Sequence, residues 1–197
     1  MRRLRWIGGL LVAVPLAIGQ PASPTRLTLP PDQPEAFVQS LYQQVIAHAP
    51  GGLPSRANMR LFAPYLSKTL RHRIEMTRAC ERDWLRLNDG AMIKAPFAWG
   101  ESGIFSGGNE KTSPGKFQIE SVQTEKGGYF RVDVKLTYLP VDGPGSWHVA
   151  VIVARANGHL SVDDVVYLKG EGVSLEYRLS EVLAEGCNGP RWVGPPK

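Results

Sequence analysis

Few residues in this chain have the types and spacing that catalysis needs. Its four histidines, His48, His72, His148 and His159, are scattered. None stands in a His-Glu-x-x-His pair or beside cysteines at zinc-ligand spacing, so no metal centre follows from them. Gly100-Glu101-Ser102-Gly103 is a fragment of a nucleophile motif. The full Gly-x-Ser-x-Gly elbow also needs a strand before it and a helix after it. The glycines between Gly103 and Gly108 lack the Gly-Lys-Ser/Thr ending with which a phosphate loop holds its anion. The motifs therefore name no catalytic residue and imply no cofactor.

Polar residues on apolar faces carry more information. On the helix that contains Leu70 and Trp84, stepping about 100° per residue places Arg73 within the arc of Leu66, Leu70, Thr77 and Trp84. Glu81 falls near the other edge of that arc. On the last strand, strict alternation puts Asp164 on one face with Leu160, Val162 and Val166, and Asp163 with Ser161 and Tyr167. If that apolar face meets the helix, Arg73 and Asp164 converge in the interior. One reading is structural: a buried ion pair or hydrogen-bond network fixing helix to sheet, since a paired charge is cheaper to bury than a lone one. The other is functional: a polar patch in a pocket, with Asp164 or Glu81 raised by burial to act as a general base.

The elements that would position these residues come in a clear order. Asp32-Gln33-Pro34-Glu35 reads as a helix start, with Asp32 as N-cap, Glu35 completing a capping box and Pro34 in the first turn. Phe37, Leu41 and Val45 then recur at helical spacing until Pro50. A longer helix spans about Ser67 to Leu87, with Arg71, Arg78, Arg82 and Arg86 opposite its apolar face as a solvated stripe. Residues 88–115 are glycine-rich and aperiodic, with a short strand possible around 93–98. Phe97, Trp99 and Phe105 in this loop are either core residues folding back or contact anchors for a partner. From Lys116 the period becomes two. Gly127-Gly128 and Asn157-Gly158 mark hairpins, Trp147–Ala156 is apolar on both faces, and Ser174–Glu185 closes the chain as a helix. Helices followed by antiparallel strands predict an α+β domain with four to five strands.

The amino terminus bears on location. Met1-Arg2-Arg3-Leu4-Arg5 precedes an apolar run from Trp6 to Gly19, the pattern of a cleaved secretory signal. That run is shorter than the roughly 20 residues a membrane-spanning helix requires. The expected organisation is a signal at 1–19, a proline-rich leader at 20–33, one domain at 34–187 and a flexible tail at 188–197. Without residues 1–19, 20 basic and 18 acidic residues remain, and the formal charge falls from +5 to +2. No concentrated basic surface is left to suit a nucleic acid. An exported, periplasmic or secreted chain with two cysteines favours a Cys80–Cys187 disulfide over two buried thiols.

The order helix, "LFAPYLSKTL" helix, meander, then "GHLSVDDVVYLKGEGVSLEYRL" resembles small exported members of the nuclear-transport-factor-2-like superfamily. The resemblance covers residues 34–185. It implies a cone, a curved sheet wrapped on helices and open at one end, in a family that includes isomerases, dehydratases and non-catalytic binding modules. The expected function is a non-catalytic binding module, of immunity or inhibitor type, that engages an envelope protein. The alternative is a cone pocket that binds or transforms a small apolar ligand.

Overall fold

The computed structural model describes residues 31–90, 103–107, 113–138, 145–169 and 176–187, with side chains to residue 184 in the last stretch. The export signal, most of the leader, Phe97, Trp99, the Cys187 side chain and the tail lie outside the described residues. The chain is α+β. Helices α1 (Pro34–His48), α2 (Arg56–Phe62) and α3 (Lys68–Leu87) precede strands β1 (Pro114–Thr124), β2 (Tyr129–Tyr138), β3 (Ser146–Ala156), β4 (His159–Tyr167) and β5 (Tyr177–Arg178). Helix α4 (Leu179–Cys187) closes the described chain. The strands form one antiparallel sheet in sequential order, which places the doubly apolar β3 at its centre.

Local chemistry accounts for most element boundaries. Ser55 and Ser67 cap α2 and α3, accepting from Asn58 N at 3.1 Å and Leu70 N at 3.0 Å. The cap of α1 departs from expectation. Gln33 occupies that position without a side-chain bond, and the Asp32 carbonyl instead accepts from Arg155 at 2.8 Å. Asn157 and Gly158 both have positive φ, 52° and 78°, as a two-residue hairpin requires. Two short elements were not expected: α2, and β5, which replaces the first turns of the closing helix. The Ser67 N–H donates to the Val162 carbonyl at 2.8 Å, locking the start of α3 onto β4.

The core lies between the helices and one face of the sheet. Phe37, Leu41, Leu70 and Ile74 pack from the helices against Val132, Val134, Val149, Val151, Val162 and Val165. At the Ile152/Val153 step of the β3–β4 pairing, the register shifts. Val153 faces Val162, but Ile152 faces Asp164, so Asp163 is the extra residue of a β-bulge. Beyond it the strand's phase is reversed. Val165 and Tyr167 turn to the core, while Asp164 and Val166 join Ala150 and Ile152 on the other face. The expected grouping of Asp164 with Leu160 and Val162 is overturned by this one inserted residue.

The bulge yields a contrast. Deleting Asp163 would leave Val162 opposite Val153 and Asp164 opposite Ile152, keeping both faces of the strand. Deleting Ser161 would instead turn Leu160 or Val162 out of the core, at a cost of about 2 kcal/mol. Asp163→Ala, which keeps the residue count, should stay within about 0.5 kcal/mol of the parent, as surface changes usually do. Urea unfolding of the two deletion variants checks this; equal stabilities would refute the phase assignment.

Candidate functional site

The most organised polar arrangement among the described residues surrounds a five-residue turn, Gly103–Gly107. Within it the Gly103 carbonyl accepts from Ser106 N at 3.1 Å and Gly107 N at 2.8 Å. Its three central residues are buried: Ile104 at 1% exposure, Phe105 at 0% and Ser106 at 2%. Their carbonyls all need partners there, since an orphaned buried carbonyl costs about 1–3 kcal/mol. Three aromatic donors from three separate elements supply them. Tyr167 Oη, at the end of β4, donates to Ile104 O at 2.6 Å. Tyr42 Oη, from α1, donates to Phe105 O at 2.8 Å. Trp147 Nε1, at the start of β3, donates to Ser106 O at 2.8 Å.

Apolar contacts complete the seat. The Phe105 ring packs on Phe62 of α2, with centroids 4.8 Å apart, while Trp147 stacks with Tyr138 at 4.6 Å. Glycines at the ends of the turn permit the close fit. A Cβ at Gly103 would stand 2.5 Å from the Pro50 carbonyl oxygen, and one at Gly107 would strike the Tyr167 ring. Gly107 also has φ +57°, which favours glycine. A backbone bridge joins Gly103 to Gly52. The turn thus fills one end of the layer between helices and sheet.

Burial pushes the Tyr42 hydroxyl far above the ordinary tyrosine range. It does the same to Tyr167, with smaller contributions from Tyr177, Tyr42 and Asp164. Both phenols are thereby favoured as donors well into the alkaline range.

Asp164 belongs to a second, separate network. It is 7% exposed and accepts from Val165 N at 2.9 Å, Ser180 N at 3.0 Å and Ser180 Oγ at 2.7 Å. Arg178 lies 3.6 Å from it. Ser180 is in the first turn of α4, so a carboxylate from β4 satisfies one of that helix's free N–H groups and complements its dipole. Arg73 takes no part: it is exposed on α3, and the convergence of Arg73 with Asp164 does not occur. Glu81 is partly buried on α3. Phe105, expected as an exposed anchor or a core residue, is wholly core. Among the described residues, no three His, Cys, Asp or Glu side chains come together as metal ligands.

Sequence reasoning noticed Phe105 but missed Tyr42, Trp147 and Tyr167 as its partners. Those donors lie 63, 41 and 63 residues from the carbonyls they bind, beyond the reach of any local pattern. No protein-family model matches the chain, and comparisons with curated proteins and with solved structures also find no match.

The buried phenols have a pH consequence. Above about pH 10 tyrosines of the unfolded chain ionise, while Tyr42 and Tyr167 in the folded protein do not. Their contribution is complete below that pH and falls above it, by about 1.4 kcal/mol per pH unit for each tyrosine. Replacing both with phenylalanine should lower stability at neutral pH and flatten the alkaline decline. Urea midpoints across that pH range measure it; an unchanged alkaline slope would show that the hydroxyls are not buried.

Proposed function

We propose that this chain is an exported, non-catalytic binding module that engages a protein partner in the cell envelope, in the manner of an immunity or inhibitor protein. The observation that carries this reading is the occupied interior. One end of the layer between helices and sheet is filled by the chain's own Ile104 and Phe105. What the fold accommodates there is polypeptide. The order of three helices, an antiparallel sheet and a closing helix also supports, as part of the proposal, membership of the nuclear-transport-factor-2-like superfamily.

The export part of the proposal rests on residues 1–19, and a disulfide between Cys80 and Cys187 belongs with it. Cys80 is buried on the face of α3 that meets α4, where Thr77 Oγ1 lies 3.2 Å from the Leu183 carbonyl oxygen. Helix α4 ends at Cys187, and no free cysteine occurs among the described residues. Closing so long a loop would contribute about 4 kcal/mol.

Two measurements test these statements. Tagged protein lacking residues 1–19 should retain a specific envelope protein from a periplasmic extract; retention of a small molecule alone would overturn the reading. Protein purified from an oxidising compartment should resist alkylation until it is both reduced and unfolded. Two thiols that alkylate on unfolding without reductant would exclude the disulfide.

A further inference from the structure

We infer that the end of the core lined by Tyr42, Phe62, Trp147 and Tyr167 is a recognition seat for an apolar peptide main chain, occupied here by the chain's own Ile104-Phe105-Ser106. The inference rests on the binding-module reading and names what its partner would present: a short apolar loop or strand inserted in place of this turn.

The geometry carries the argument. The three donors do not read side chains. Each binds one carbonyl of three consecutive residues, Ile104 to Tyr167, Phe105 to Tyr42 and Ser106 to Trp147. Every residue of any polypeptide offers such a carbonyl, so the polar part of the seat is independent of sequence. Selectivity comes from the apolar part, where the Phe105 ring meets Phe62 and Ile104 is buried at 1% exposure.

The same donors restrict what can replace the turn. All three come from side chains that are at most 4% exposed, and removing the turn would leave them buried and unpaired, which is unfavourable. A hydrocarbon ligand cannot pair them. A replacement has to bring a row of carbonyl oxygens together with apolar side chains, and a peptide segment does both. The bridge between Gly103 and Gly52 adds main-chain pairing at one end of the turn, as in strand addition.

Competition with the tethered turn sets the experiment. A segment joined to its own seat acts at a high effective concentration, so a free peptide should compete only when the turn is weakened. In full-length Phe105→Ala, the peptide acetyl-Gly-Ile-Phe-Ser-Gly-amide at millimolar concentration should raise the thermal midpoint saturably, by several degrees. The parent protein, and a control peptide with alanine at both apolar positions, should show no such shift. A folded Phe105→Ala that does not respond to the peptide overturns the seat.

Hydrogen exchange on the parent protein gives a second test that does not depend on the variant's folding. An exchangeable turn opens without global unfolding, so the Ser106 and Gly107 amides should exchange at least about tenfold faster than those of β3. Exchange only through global unfolding overturns the proposal. A partner captured equally by the parent and by Phe105→Ala, with no peptide effect, would overturn the seat and leave the binding-module reading standing.

Discussion

Three main-chain carbonyls buried in sequence, those of Ile104, Phe105 and Ser106, are the constraint around which this fold is arranged. A stretch of irregular backbone can enter a core only if its polar groups are paired. Here the pairing draws on α1, β3 and β4 together. The donors must be long, rigid and mostly apolar, because they cross a hydrophobic layer to reach the turn; tyrosine and tryptophan meet that need. The turn in turn fixes the relative placement of the first helix and the sheet, which are far apart in the chain. Glycines at 103 and 107 follow from the closeness of Pro50 and Tyr167.

The β5 edge of the sheet is closed by a different device. The bulge at Asp163 turns Asp164 out of the core phase, and the carboxylate then meets the first turn of α4. Helix α4 in turn covers α3 through Leu179, Val182 and Leu183, and Thr77 reaches the Leu183 carbonyl. A buried carboxylate with three hydrogen bonds and a nearby guanidinium is satisfied as it stands. Helix capping accounts for its position.

What could be read from sequence was local. The alternation of Phe130 to Tyr138, the Asn157-Gly158 turn, the start of the long helix near Ser67 and the apolar face of α3 each depend on neighbours a few residues away, and each is found. Apart from the cap of α1 and the short helix α2, the errors are tertiary. One inserted residue reversed the face of Asp164, and nothing in "SVDDVV" marks where the insertion falls. Arg73 and Cys80 differ by only about 20° around α3, yet Arg73 is exposed and Cys80 buried, because burial depends on where α4 lies along the helix. The two-residue β5 is defined only by its pairing with Val166 and Tyr167. The seat of Phe105 could not be found from an aperiodic glycine-rich stretch.

The central claim is that the 103–107 turn is part of the core and is held by aromatic donors. Nuclear magnetic resonance of the protein lacking residues 1–19 tests it most directly, through the indole N–H of Trp147, assigned by Trp147→Phe. The account predicts that this proton exchanges slowly with solvent and that Phe105 ring protons show cross-relaxation with those of Phe62. A rapidly exchanging Trp147 N–H, with no cross-relaxation between the two rings, would contradict it.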